Sequence, residues 1–397
     1  MTAPPGHRTA PPRVGPLAAR PDASPALSVD SLLADASVRI LVCCGAGGVG
    51  KTTTAAALAL RAAEQGRRAV VLTIDPAKRL AQSMGLTELD NNPRPVQGMS
   101  EAATGSLDAM MLDMKRTFDE VVEAHASPEK AEQIFGNAFY QALSSSFAGT
   151  QEYMAMEKLG QLHADTRADG RWDLIVVDTP PSRSALDFLD APERLSSLLD
   201  GRLIRLLLAP ARGPARLLSV GLSVVTTTLN RVLGTQVLSE VQTFIAAFDT
   251  LFGGFRQRAE RTFALLQDRE TAFLVVAVPE PDALREASYF VERLSAEAMP
   301  LGGLVLNQVT TNPTPGLSED QSRGAAERLE QEGRHETTAA LLRLHAERMK
   351  VLARERRLLR RFSAAHPAVA VATAPALPSD VHDVAGLRRI GELLAEA

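Results

Sequence analysis

Short, wholly apolar runs alternate along the chain with longer stretches whose apolar residues recur every three or four positions. That alternation predicts a parallel sheet covered by helices on both faces. Val38–Cys44 is β-branched and apolar and predicts a buried strand. The Ala-rich stretch Lys51–Glu64 predicts the helix after it, and Ala69–Thr73 and Leu107–Leu112 predict the next two strands. Leu174–Val177 predicts a buried strand that runs into Asp178, and Ala272–Val278 and Leu304–Leu306 predict two more. Val369–Ala372 is the last expected strand, followed by a closing helix over Val384–Leu394. The expected fold class is α/β, a doubly wound and mostly parallel sheet.

Helix-rich stretches interrupt the alternation. The expected domain covers 36–397, with helical inserts at about 114–163 and 192–266. In the second insert Val237, Leu238, Val241, Phe244, Ile245, Phe248, Leu251, Phe252 and Phe255 fall on one helical face. Such a stripe fits a groove wall for a hydrophobic helix or packing onto the core or a partner. The charged stretch Glu319–Phe362 is also helical and carries Arg354, Arg356, Arg357, Arg360 and Arg361. Glu347 and Glu355 lie nearby, so a solvated helix face explains this cluster better than a phosphate or acidic partner. Residues 1–35 are rich in Pro, Ala and Arg, lack the apolar core of a secretory signal, and are expected to be disordered.

Composition narrows the function classes. The net charge of the 397 residues is −4, so the chain as a whole has no pull toward nucleic acid or anionic lipid. No apolar run reaches the roughly 18 residues of a membrane span. The nearest, Leu217–Leu229, is broken by Ser and Thr. The two cysteines, Cys43 and Cys44, are strand neighbours whose side chains point to opposite faces, which argues against a disulfide framework or a shared metal. A reducing, cytoplasmic compartment is expected. Stable membrane insertion is not.

The chemistry sits where the first strand meets the first helix. Gly45-Ala46-Gly47-Gly48-Val49-Gly50-Lys51-Thr52 has the P-loop spacing between a strand and a helix. Gly47, Gly48 and Gly50 let the backbone come close to phosphate oxygens, and the loop amides from Gly45 through Val49 form an anion nest. The helix that begins near Lys51 adds its positive N-terminal end. Lys51 is the expected contact for the β and γ phosphates of ATP, Thr52 for Mg²⁺, and Thr53 for the α phosphate. Asp178, closing the strand at Leu174–Val177, is the expected second Mg²⁺ residue. Asp75 is placed to orient or deprotonate an attacking water. Each of these two aspartates could instead cap a helix in a βα loop.

These residues resemble the deviant Walker A loop shared by the MinD and ParA ATPases and the ArsA-type anion-transporting ATPases. Thr73-Ile74-Asp75-Pro76-Ala77 is similar to the switch I motif of the ArsA and tail-anchored-protein targeting ATPases. Asp178-Thr179-Pro180-Pro181-Ser182, with Leu186, Phe188 and Leu189, is similar to their switch II motif. Pro279-Glu280 with Glu286, Val305-Leu306-Asn307-Gln308, and Pro375-Ala376-Leu377-Pro378 resemble their later nucleotide-site motifs. The resemblance implies that Asp75 is the catalytic switch I aspartate and that Asn307 binds adenine. It also implies that Glu280 sits near the nucleotide across a dimer interface and that Pro375 and Leu377 line the adenosine pocket. It further implies a dimer that ATP closes and hydrolysis reopens, with helical inserts that handle a hydrophobic protein client.

The sequence departs from that pattern in three places. Ala46 stands where the family carries its signature lysine, which reaches the partner's phosphates. Losing such a donor can cost about 2.7–4 kcal/mol of transition-state stabilisation. There is no CxxC pair for a dimer zinc, and no convergent thiols for arsenite. Two functions remain open. One is an ATP-driven chaperone or targeting ATPase for hydrophobic segments, working as a dimer, either a homodimer or a heterodimer with a paralogous ATPase. The other is a weakly hydrolysing regulatory subunit paired with a lysine-bearing paralogue, as similar chains in actinobacteria resemble one half of such a pair. A MinD-like membrane-positioning role would need an amphipathic tail, and Leu387–Ala397 is short and mixed in charge.

Overall fold

The computed structural model describes residues 24–75, 79–137, 140, 141, 144, 150–180, 257–312 and 314–396. Their strands form one eight-stranded sheet in the order β3-β4-β2-β5-β1-β6-β7-β8. The strands are β1 Ile40–Cys44, β2 Arg68–Thr73, β3 Arg94–Pro95, β4 Ser106–Met111, β5 Leu174–Asp178, β6 Thr271–Ala277, β7 Leu301–Val309 and β8 Val371–Pro375. Every described pairing is parallel except that of the edge strand β3 with β4.

The apolar runs are buried on both sides because each face carries helices. Ile40, Val42 and Cys44 join one core, and Leu41 and Cys43 join the other. The second core lies under α1 (Val29–Ala34), α2 (Lys51–Glu64), α3 (Arg79–Ser83) and α10 (Val384–Ala395). Alanines dominate the buried side of α2, so its backbone approaches the sheet closely. The first core is covered by α4 (Met114–His125), α5 (Pro128–Phe135), α6 (Thr150–Asp169), a helical segment over 257–267, α7 (Pro281–Ala296) and α9 (Glu336–Ala365). Between β7 and β8, α8 (Glu319–Gln331) packs against α9. No helix among the described residues is long and apolar enough to cross a membrane.

The tail expected over 1–35 is corrected at its C-terminal end, where residues 24–35 belong to the fold. Pro25 and Leu27 exchange backbone hydrogen bonds with Val371 of the edge strand β8, Leu27 N–H to the Val371 carbonyl and Val371 N–H to the Pro25 carbonyl. Ser28 caps α1, and Val29 and Leu33 are buried. Asp30 binds the Arg61 guanidinium, which holds its carboxyl below the usual range. Three apolar residues in a Pro- and Ala-rich background are enough for docking when an open core edge is waiting. The apolar stripe at Val237–Phe255 and the switch II residues from Pro181 onward lie outside the described residues, as does most of the second insert.

Candidate functional site

The predicted functional residues line the carboxyl edge of the sheet, where ligands bind in open α/β folds. β1 ends at Cys44, and the chain turns through Gly45 and Gly47–Gly50 before α2 begins at Lys51. Two glycines are obligatory here. A Cβ on Gly45 would lie 2.1 Å from the Val276 carbonyl oxygen of the neighbouring strand, and one on Gly50 would lie 2.3 Å from Asn307 Nδ2. Gly50 also has φ +88°, a left-handed conformation that L side chains avoid.

Lys51 is only 6% exposed and folds back over the loop, its ammonium donating to the Ala46 carbonyl at 2.8 Å. Burial pushes its pKa down, and the Asp178 carboxylate nearby works against that shift. The loop therefore keeps a partly desolvated cation at its centre, where a phosphate would be held most strongly.

β5 lies between β1 and β2, which brings Asp178 between the P-loop and Asp75. In register, Asp178 pairs with Cys43 on one side and Thr73 on the other. Asp178 is fully buried. Its Oδ2 accepts from Thr52 Oγ1 at 2.7 Å and from Thr73 Oγ1 at 2.8 Å, and its Oδ1 is buried without a hydrogen-bond partner. An orphaned carboxylate oxygen is costly in an interior unless something binds it. With the Thr52 hydroxyl beside it, the donor set is hard oxygen, which suits Mg²⁺ completed by phosphate oxygens and water. The residues present fit that ion.

Desolvation pushes the Asp178 carboxyl up to about 6, against the two hydroxyl donors and Lys51, which pull it down. A raised native pKa means that the folded state binds the proton more tightly. The associated stability is present below the unfolded value of 3.8 and is lost as pH rises through about 6. Metal-free Asp178→Asn should therefore melt higher than wild type at pH 7.5, by on the order of 2–3 kcal/mol. Its advantage should shrink toward pH 4. Thermal melts in chelator across that range check this, and a pH-independent difference would rule out a buried charge as the cause.

Asp75 follows β2 and is half-buried. Its backbone N–H donates to Thr73 Oγ1 at 3.2 Å, and the neighbouring Ile74 N–H donates to the Asp178 carbonyl at 3.0 Å. Thr73 thus ties the two aspartate segments together through one hydroxyl, a role that sequence reading missed. The available signal was a polar residue closing an otherwise apolar strand. Thr179 was named only as part of the switch II resemblance, with no role of its own. Its hydroxyl donates to the Cys43 carbonyl at 2.9 Å and fixes the start of the segment after β5.

Asn307 reaches the loop from β7. It is 7% exposed, and its Nδ2 donates to the Val49 carbonyl at 3.0 Å. Thr52 and Thr53 sit half-buried in the first turn of α2. Pro375 ends β8 one strand further along the edge, where the Ala376 N–H donates to the Val309 carbonyl, and Leu377 packs half-buried on the α2 side of the core. Glu280 is not drawn into this cluster. It is the exposed N-cap of α7, with no capping hydrogen bond from its side chain. Burial raises both thiols, Cys44 to about 12, so neither is ready to act as a thiolate ligand.

Comparison with known proteins agrees with this geometry. A family model described as an anion-transporting ATPase matches residues 38–331. ATPase GET3 of Podospora anserina is 26% identical over 303 residues, covering 74% of this chain and 79% of its own length. An uncharacterised protein of Streptomyces coelicolor is 30% identical over 297 residues, 71% of this chain and 65% of that protein. The ATPase ASNA1 homologue of Cryptosporidium parvum is 27% identical over 285 residues, 71% of this chain and 68% of its own length.

Proposed function

The chain belongs to the anion-transporting ATPase family and is an ATPase, and from that premise we propose that it hydrolyses Mg-ATP at the loop Gly45–Thr52 and couples this to a dimer cycle that handles a hydrophobic protein client. The observation that carries the catalytic half is Asp178, with one oxygen gripping Thr52 and the other buried and unpartnered beside a buried lysine.

In this reading Lys51 and the loop amides hold the β and γ phosphates, and the N-terminal end of α2 adds its dipole. Thr52 and Asp178 would hold Mg²⁺, which when bound neutralises charge on the phosphate oxygens. Asp75 orients the attacking water and takes its proton. The water oxygen bonds to the γ phosphorus as the bridging P–O bond to ADP breaks. Asn307 holds the loop from the base side. The client half rests on the apolar stripe of the second insert and on the likeness to targeting ATPases.

A second reading is favoured by one residue. Ala46 offers only its carbonyl, already taken by Lys51, and brings no positive charge toward a facing copy. On that reading the chain hydrolyses weakly alone and is completed by a lysine-bearing paralogue. Ala46→Lys should then raise turnover of the pure chain by roughly 10²-fold while leaving the ATP dissociation constant nearly unchanged. Steady-state phosphate release, with the wild type alongside, checks this. Brisk wild-type turnover that Ala46→Lys does not improve would remove the case for a composite enzyme.

A further inference from the structure

The base side of the site is less firmly built than the phosphate side. β7 pairs in register with β8 from Leu304 to Leu306, then that register shifts before Val309, and Gln308 takes φ +57°. Asn307 sits inside this irregular stretch, so the ladder does not fix it alone. A cavity of about 500 Å³ opens beside the loop that follows, lined among others by Leu306, Val309, Leu352, Leu359 and Thr373. Close packing therefore does not hold the loop either.

What holds it is α9. Glu355 Oε2 accepts from the Thr310 N–H at 2.8 Å, and Oε1 accepts from the Thr310 hydroxyl at 2.7 Å. Arg348 Nε donates to the Thr311 carbonyl at 2.9 Å. His345 Nε2 meets Asn312 Oδ1 at 3.3 Å, and its other ring nitrogen meets Ser322 Oγ at 2.8 Å. Positions 345, 348 and 355 share one helical face, so a single side of α9 grips three consecutive loop residues. Glu355 is only 9% exposed. A buried carboxylate needs strong partners, and both partners here come from Thr310, three residues beyond Asn307.

We infer that Glu355 is a positioning residue for nucleotide affinity, acting through Thr310 to set the strand end that carries Asn307. This rests on the reading that ATP binds at the P-loop with its base toward Asn307. Glu355 touches neither phosphate nor metal residues. Its removal loosens the base end directly and reaches the phosphate loop only through the Asn307 hydrogen bond to the Val49 carbonyl.

The test compares ATP with inorganic tripolyphosphate, which has the phosphates but no base. Dissociation constants of both, with Mg²⁺, are measured by calorimetry on wild type, Glu355→Ala, Glu355→Gln and Thr310→Val. Thermal melts establish that each variant is folded, and Thr310→Val stands in if Glu355→Ala does not fold. Glu355→Ala is expected to weaken ATP binding about tenfold, the scale of one hydrogen bond to a charged group. Tripolyphosphate affinity should fall clearly less than ATP affinity, since it senses the change only through the Asn307–Val49 bond, and turnover at saturating ATP should stay near wild type. Glu355→Gln, which keeps an acceptor for the Thr310 N–H, should recover much of the loss. Unchanged ATP affinity in Glu355→Ala overturns the assignment, as does an equal loss for ATP and tripolyphosphate. A wild-type protein that binds neither compound overturns the P-loop reading, and this one with it.

Discussion

Lys51→Ala is expected to abolish measurable ATP binding and to lower turnover by about 10³-fold. The size of the effect follows from where the ammonium sits. It is 6% exposed, anchored to the Ala46 carbonyl across the loop, and close enough to Asp178 for each charge to shift the other's pKa. A cation held in that low-dielectric position interacts with a triphosphate far more strongly than a surface lysine would. The loop amides and the α2 dipole remain in the variant, but they carry only partial charges. Loss of fold would not explain the result. The ammonium's burial is itself unfavourable, as its lowered pKa shows, so the nucleotide-free variant should melt near the wild-type temperature. What should vanish is the upward shift of the melting temperature that Mg-ATP is expected to give the wild type. If Lys51→Ala keeps that shift, the triphosphate does not lie over this loop.

How far the site could be read in advance depended on whether its residues are local in sequence. The P-loop is local: a strand, glycines, a lysine and a helix in direct succession, and α2 spans Lys51–Glu64 as expected. Asp178 and Asp75 were legible because each directly ends or follows an apolar run, and the parallel order β2-β5-β1 brings both beside the loop. Thr73 was not, since its role is to bridge two strands whose pairing no sequence window contains. Glu355 illustrates the same limit. Among arginines it reads as part of a solvated helix face, and Arg354, Arg356, Arg357, Arg360 and Arg361 are indeed exposed. Glu355 turns inward to accept both Thr310 donors, and Thr310 lies 45 residues earlier in the chain, outside any local window. The edge strand Arg94–Pro95 has two residues and a proline, too little for any periodic signal. Residues 24–35 were lost to averaging: Leu27, Val29 and Leu33 dock on the sheet and α2, but they were read together with the Pro- and Ala-rich residues before them. Asn307 was named from resemblance alone, and its hydrogen bond to the Val49 carbonyl, 258 residues away in the chain, is visible only in the fold.

Asp75→Asn should behave differently from Lys51→Ala, and the contrast tests the mechanism. The substitution keeps the side chain's size and removes its capacity to accept a proton. The backbone at this point is fixed independently, by Asp75 N–H to Thr73 Oγ1 and Ile74 N–H to the Asp178 carbonyl, so the asparagine should occupy the same place. ATP affinity should therefore stay within a few-fold of wild type, while turnover at saturating ATP falls by roughly 10²–10⁴-fold, the range for a lost general base. The competing assignment for Asp75 is a helix cap. Asparagine caps a helix about as well as aspartate, so under that assignment the variant would bind and hydrolyse ATP almost normally. Asp75→Ala sharpens the comparison: it removes both capacities and would cost stability only if capping matters. Single-turnover phosphate release, measured beside nucleotide binding, separates the two assignments. Normal chemistry in Asp75→Asn would move the task of orienting the water to another group at this edge of the sheet, or to one supplied by a facing copy. A chemical step slowed with binding intact would place that task on Asp75 itself.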